Sequence, residues 1–327
     1  LKVKQFSAES LINGIKKGDI VSLSKAITYI ESENINYNNI ASEVINNILP
    51  YTGNSIRIGL SGVPGVGKST FIESFGNYLL LQGKKVAVLA IDPSSQINKG
   101  SILGDKTRMD SLSKSSNAFI RPSATGNTLG GIAAKTRENI LLCEAAGFDV
   151  IIVETVGVGQ SETAVHQLTD CFLLLMLSGA GDELQGVKRG IMEIADIIYI
   201  TKADGDNEKK AKQKAAEINM AVHYHLPHEN NWKVKVDICS AISGLHIENV
   251  WKDILEFKQQ SEMNNYWENN RIKQDELWFD KLIDTTLLKI MYSKYIEIES
   301  IEKLKQSVKN KEISIFSALQ HLRNIFQ

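Results

Sequence analysis

The chain has 327 residues, 43% of them apolar and 23% charged, with a formal net charge of −1 at pH 7. These values describe an ordinary globular protein, long enough for one large domain with additions or for two domains. The balanced charge gives no electrostatic reason to expect a nucleic-acid or membrane partner.

The longest wholly apolar run, CFLLLML at 171–177, is far shorter than the roughly 20 residues of a membrane span. Residues 1–20 lack the continuous apolar core of a secretory leader. The three cysteines, at 143, 171 and 239, form no C-x-x-C pair. Buried thiols in a reducing cytoplasm are the expectation.

In chain order, residues 7–49 carry apolar positions at helical spacing, among them Leu11, Ile15, Leu23, Ile27, Val44 and Ile48. This predicts an N-terminal helical segment over 1–50, with GNS at 53–55 as the hinge out of it. Short apolar runs then predict strands at 56–60, 86–91, 118–121, 148–153, 171–177, 197–201 and 234–238. Most are continuous rather than alternating, as in a parallel sheet covered on both faces. Helical patterns at 70–82, 128–146, 160–168, 186–194 and 207–222 separate most of them. The alternation predicts an α/β fold with a mostly parallel, doubly wound sheet over 51–255. Beyond about residue 244 the pattern is helical to the end, so 256–327 reads as a helical C-terminal extension.

The first strand runs into Gly62-Val63-Pro64-Gly65-Val66-Gly67-Lys68-Ser69-Thr70. This fits G-x-x-x-x-G-K-[ST] in the strand–loop–helix setting the motif requires. Glycines let successive N–H groups converge, and the helix N-terminus adds free donors and partial positive charge. Lys68 is expected to reach the β- and γ-phosphates, and the Ser69 hydroxyl to ligate Mg²⁺. Two later strands end in acids: Asp92 in DPSS, and Glu154 in ETVG, whose Gly157 could offer an N–H to the γ-phosphate. Asp105 lies between them in SILGDKTRM. Three carboxylates beside one phosphate site can hold Mg²⁺ directly or through its waters. The alternative for any one of them is a loop carboxylate or a helix cap.

TKAD, Thr201 to Asp204, follows a predicted strand. A carboxylate in the base plane accepts from N1–H and the 2-amino group of guanine and repels the bare N1 of adenine, so Asp204 predicts a guanine nucleotide. The Lys202 stem would cover the base face. The last strand ends in CSAISG, where Ser240, Ala241 and Ile242 would brace Asp204 and meet guanine O6.

With these segments the sequence resembles the MeaB/ArgK family of P-loop GTPases, part of a wider group that includes nickel chaperones of hydrogenase and urease. The segments are GVPGVGKST (62–70), DPSS (92–95), GSILGDKTRM (100–109), RPSATGNTLGG (121–131), ETVGVGQSE (154–162), SGAGDELQGVKRG (178–190) and TKAD. The resemblance implies a cytoplasmic, Mg²⁺-dependent GTPase. Its partner would be an adenosylcobalamin-dependent acyl-CoA mutase, usually methylmalonyl-CoA mutase, which it serves as a chaperone. It also implies a homodimer, for which 256–327 would be the arm. Lys68, Asp92, Asp105 and Glu154 would form the GTPase centre. Residues 154–162 would respond to the γ-phosphate, and 178–190, with Lys188 and Arg189, would face the partner. The family usually has Asn where Thr201 stands; Thr keeps a hydroxyl and loses an amide donor.

Competing readings are a kinase of a basic amino-acid transport system, a label some ArgK members carry, and a nickel-insertion GTPase. The latter would draw on His223, His225 and His228 in HYHLPH, a stretch that also reads as a solvated turn. Trp251, Trp267 and Trp278 read as packing residues of helices or of a dimer.

Overall fold

The apolar runs become one all-parallel sheet. Its seven strands are β1 (Ile56–Gly62), β2 (Val86–Ile91), β3 (Ala118–Pro122), β4 (Val150–Thr155), β5 (Cys171–Leu177), β6 (Ile197–Thr201) and β7 (Lys235–Ile238), ordered β3-β2-β4-β1-β5-β6-β7. The computed structural model describes residues 6–32, 34–91, 109–122, 129–155, 161–179, 190–223, 229–294 and 298–324. They belong to two compact units, Leu1–Arg271 and Ile272–Gln327.

The sheet is covered on both faces, which is why its strands read as continuous apolar runs. On one face Ile58, Leu60, Val88, Ile152, Leu173 and Tyr199 pack with Phe71 and Phe75 of α4 (Lys68–Leu81). The same cluster takes in Val250, Trp251, Ile254 and Phe257 of α9 (Ile247–Met263), and Trp267 near the start of α10 (Tyr266–Lys294). Trp251 and Trp267 are thus core residues of the first unit, and Trp278 is also buried. Toward the other face lie α6 (Leu129–Ala145) and α7 (Ser161–His166), while α8 (Asn207–His223) borders β6 and β7. The N-terminal helices α1 (Ala8–Lys16), α2 (Ile20–Glu31) and α3 (Ile35–Ile48) form a further layer against α6. Their starts are set by short polar caps: Ser7 accepts from Ser10 N, Asp19 from Val21 N and Ser22 N, and Asn34 from Asn36 N. The short helix α5 (Asp110–Ser113) buries Leu112 against Gly76 of α4.

Strand boundaries differ from the sequence expectation at the ends of β1 and β3, at both ends of β4 and at the start of β7, and two of these have a visible cause. β1 runs on through Ser61 and Gly62, because Leu174 and Leu175 of β5 still pair with them. β4 starts at Val150 rather than 148, because Asp149 is used in a turn: its carboxylate accepts from Lys85 N at 2.7 Å. Two more aspartates do the same work just ahead of their strands. Asp170 accepts from Arg57 N at 2.8 Å and Asp196 from Phe172 N at 2.7 Å, each tying the strand it precedes to its neighbour. The entry to β1 is further held by a buried bidentate pair. Arg57 donates to Glu144 from Nε at 2.8 Å and Nη2 at 3.0 Å, and Glu144 also accepts from Gly53 N. Arg271 donates to Asp170 twice and to the Gly53 and Ser55 carbonyls, fixing the predicted hinge.

The second unit comprises most of α10 with α11 (Ile298–Lys309) and α12 (Ile315–Asn324). It exposes large apolar side chains, including Phe279 at 66%, Leu288 at 55% and Phe316 at 72%. All three cysteines are free and buried. Among the described residues no helix is long and apolar enough to cross a membrane.

Burial pushes the Asp196 carboxyl up to about 7 from its ordinary 3.8, partly offset by the Phe172 N–H. The folded chain therefore holds this proton over a pH range where the unfolded chain has lost it. That contribution to stability is complete below about pH 4 and is lost as pH rises through about 7. Asp196→Asn keeps an acceptor for Phe172 N and removes the titration. Urea midpoints at pH 5 and pH 8 should show wild type losing stability relative to this variant at the higher pH. A constant difference between them would refute the assignment.

Candidate nucleotide-binding site

β1 delivers the loop that the sequence singles out to the C-terminal edge of the sheet, between β4 and β5. A Cβ on Gly62 would lie 2.6 Å from the Leu175 carbonyl oxygen, so only glycine lets the strand pair to its last residue. Gly65 and Gly67 have φ of 79° and 94°, the left-handed region where a side chain is strained. Gly67 caps α4, whose first intrahelical bond is Phe71 N to Gly67 O at 2.9 Å. By helix geometry the N–H groups of Lys68, Ser69 and Thr70 have no acceptor within the helix, and they lie at its positive end. Val66 is buried and plugs the loop from beneath, while Pro64 and Gly65 are exposed. Lys68 Nζ donates to the Gly62 carbonyl at 2.8 Å, folding the ammonium back over the loop. A glycine cradle at a helix N-terminus, with a lysine, is the donor set a polyphosphate takes.

Glu154 is next to last in β4, level with Leu60 of β1 and Ala90 of β2, and only 9% exposed. Register places it on the α4 face, the side of the sheet that also carries Ser69. Thr155 Oγ1 donates to Ser61 Oγ at 2.9 Å, joining the ends of β4 and β1. Asp92, Asp105 and Gly157 lie outside the described residues, as do Lys188 and Arg189. So do His225 and His228, together with the side chain of His223. Among the described residues no three His, Cys, Asp or Glu side chains gather as a metal site.

On the other side of β1, TKAD leaves the end of β6. Lys202 adopts φ 57° and its Nζ donates to the Gly65 carbonyl at 2.8 Å, so its stem lies across the glycine loop. The Ser240 hydroxyl donates to Asp204 Oδ1 at 2.7 Å, and Ala203 N donates to the Cys239 carbonyl at 3.1 Å. These two bonds bring TKAD and CSAISG together and orient the carboxylate. Ala241 is half-buried beside them and Ile242 is 80% exposed. Thr201 explains how the chain manages without the expected asparagine: its hydroxyl donates to the Val66 carbonyl at 2.8 Å, with the Met176 carbonyl at 3.3 Å.

One residue that sequence reasoning missed enters this loop. Asn207 Nδ2 donates to the Lys202 carbonyl at 2.6 Å, and its Oδ1 accepts from Ser178 Oγ at 2.9 Å. Its role rests on the φ of Lys202 and on Ser178, neither of which leaves a pattern in the sequence.

An all-parallel sheet with a glycine loop leading from its central strand into a helix defines a P-loop nucleotide-binding fold. The family described as "Methylmalonyl Co-A mutase-associated GTPase MeaB" matches residues 23–295, and the chain belongs to that family. It is 40% identical over 320 residues to the GTPase ArgK of Escherichia coli (strain K12), covering 98% of this chain and 96% of that protein. It is 43% identical over 295 residues to the mitochondrial methylmalonic aciduria type A homolog of Mus musculus, covering 87% and 71% respectively. A crystal structure described as LAO/AO transport system kinase matches over the full length of both chains, with a TM-score of 0.77 and 32% identity.

Removing the Thr201 hydroxyl should loosen the loop. Thr201→Val keeps the shape and leaves the Val66 carbonyl without its donor, at a cost of about 1–3 kcal/mol. Thr201→Asn restores a donor. Thermal unfolding should rank wild type and Thr201→Asn above Thr201→Val. Equal midpoints for wild type and Thr201→Val would show that the bond carries nothing.

Proposed function

We propose that this chain binds and hydrolyses GTP as a chaperone of an adenosylcobalamin-dependent acyl-CoA mutase, of the methylmalonyl-CoA type. The observation that carries this reading is membership in a family described by its association with that mutase. The geometry of the loop and of TKAD supports the nucleotide part. Lys68 neutralises charge on the transferring phosphoryl group, and the loop and α4 N–H groups orient the phosphates. Asp204, held by Ser240, accepts from guanine N1–H and the 2-amino group. Lys202 covers the base, and Ala241 and Ile242 lie toward O6.

Magnesium, when bound, offsets charge on the phosphate oxygens. Hard oxygen donors suit it: Ser69 and Glu154 stand on the same face of the sheet edge, and Asp92 and Asp105 complete the proposed set. The glycine after Glu154, Gly157, would offer its N–H to the γ-phosphate. The exposed apolar side chains of the second unit, Phe279, Leu288 and Phe316 among them, support a homodimer built through residues 256–327. The setting we propose is the cytoplasm. The name of the similar crystal structure favours a second reading, transfer of phosphate to a component of a basic amino-acid transport system. Release of one free phosphate per GTP, with no phosphorylated acceptor, would exclude it.

Calorimetry should find GDP at least ~100-fold tighter than ADP, about 2.7 kcal/mol at 1.4 per decade. Asp204→Asn should move the preference toward xanthine nucleotides, whose carbonyl can accept from the new amide. Equal affinity of the wild type for GDP and ADP would sink the guanine assignment.

The partner is tested by turnover. Adding the cognate mutase should raise GTP hydrolysis at least ~10-fold, about 1.4 kcal/mol of barrier. Lys188→Ala or Arg189→Ala should blunt the rise. Light scattering on the same samples should show a dimer of the free chain. Turnover unchanged by saturating mutase would defeat the chaperone reading, and a monomer at micromolar concentration the dimer.

A further inference from the structure

The base-reading loop is held in a conformation it does not favour. Lys202 sits in the left-handed region at φ 57°, a conformation disfavoured for a residue with a side chain. That turn throws the Lys202 stem back across the glycine loop, where Nζ meets the Gly65 carbonyl, and lets the chain present Asp204 two residues later. Bonds from Ala203 N to the Cys239 carbonyl and from Ser240 to Asp204 hold the turn from the β7 side, and a side chain outside the motif holds the Lys202 carbonyl. Asn207 Nδ2 donates to the Lys202 carbonyl at 2.6 Å, and its backbone N–H donates to the Asp204 carbonyl at 3.2 Å. The amide is oriented from its other end, because Ser178 Oγ donates to Asn207 Oδ1 at 2.9 Å from just beyond β5. Asn207 therefore holds the Lys202 end of the turn through its side-chain amide and the Asp204 end through its backbone N–H, and Ser178 ties the amide to the chain just beyond β5.

We propose that Asn207, oriented by Ser178, is a positioning residue for base recognition that sets Lys202 and Asp204 in their reading geometry. The inference rests on the guanine assignment made above. Its chemistry is specific. An asparagine meets both demands, donating to a carbonyl while accepting from a hydroxyl. Aspartate can still accept from Ser178 but sets a carboxylate oxygen against the Lys202 carbonyl oxygen, where two acceptors repel. Alanine loses both contacts. The order of damage expected at this site is therefore Asn207→Asp at least as severe as Asn207→Ala, with Ser178→Ala milder than either, since it frees the amide to rotate without removing its donor.

The test uses the full-length chain. Binding of GDP and ADP and the kcat and KM for GTP are measured for wild type, Asn207→Ala, Asn207→Asp and Ser178→Ala, with inhibition by inorganic tripolyphosphate as a probe of the phosphate loop alone. Asn207→Ala and Asn207→Asp should each raise Kd for GDP and KM for GTP about 10-fold. Their kcat should stay within about 2-fold of wild type, and so should tripolyphosphate inhibition. Ser178→Ala should raise KM about 3-fold. A general structural defect would instead weaken tripolyphosphate inhibition and lower kcat together, and that outcome overturns the proposal. Unchanged GDP affinity in the Asn207 variants overturns it as well. If an Asn207 variant fails to fold, Ser178→Ala decides alone, and an unaltered KM in it counts against the proposal. A wild type that binds GDP and ADP equally would instead remove the guanine reading beneath it, so the two failures are distinguishable.

Discussion

The site depends on one close approach, that of the Gly62 backbone to the carbonyl of Leu175. β1 is paired on both sides, by β4 and β5, and remains paired to β5 until its last residue. A chain that leaves a central strand so abruptly has no room for a side chain at the exit. Once Gly62 satisfies that constraint, the next turns can be tight, and Gly65 and Gly67 take the left-handed angles that carry the chain into α4. Val66 is the counterweight: the buried side chain in a loop of exposed neighbours, it holds the loop down by packing, and its carbonyl is held by Thr201. The loop is therefore shaped from below by β5 and β6 before any ligand reaches it from above. Preorganisation of this kind removes an ordering cost that binding would otherwise have to meet.

The opposite end of the sheet is organised by acidic side chains that accept backbone N–H bonds. Asp149, Asp170 and Asp196 each stand just ahead of a strand and accept a backbone N–H at the entry to the adjoining one. Parallel strands have no hairpin to fix their register, and these carboxylates supply a local substitute. Arg57 and Glu144 form a buried pair that would be costly if broken, since truncating either partner leaves a charge in the core. Register set at the entry to β1 is transmitted six residues along a rigid strand to Gly62, so the ionic end and the loop end belong to one mechanical element.

Much of this was legible in the sequence for identifiable reasons. A sheet covered on both faces writes itself as continuous apolar runs, so all seven strands stand out, and the α/β class with them, whereas the short helix α5 between β2 and β3 did not. The glycine loop was legible because its φ angles and the approach at Gly62 admit few residue types. The proximity of Ser240 to Asp204 could be inferred from adjacent parallel strands ending at the same edge. Asn207 was not legible, since its role depends on the φ of Lys202 and on Ser178, 29 residues away, neither of which leaves a pattern. The strand boundaries at 62 and 150 missed for a related reason: they are decided by neighbours, Leu175 and Lys85, rather than by the segment's own composition. Asp92, Asp105 and Gly157 stand as sequence assignments, because they lie outside the described residues.

The strand order also separates two tasks. From β1 the chain moves outward to β2 and β3, returns as β4, and then crosses to β5, β6 and β7 on the other side. That reversal beside β1 opens the crevice in which such sheets take ligands. Residues proposed for phosphate chemistry come from β1, β2 and β4, and those proposed for the base from β6 and β7. Among the described residues, Lys202 reaches Gly65 and Thr201 reaches Val66, so two hydrogen bonds tie the base half to the glycine loop. Asn207 bears on the first contact through the Lys202 backbone, and Thr201 makes the second directly. Recognition and hydrolysis can then vary separately on this fold, with the loop after β1 as their shared point of contact.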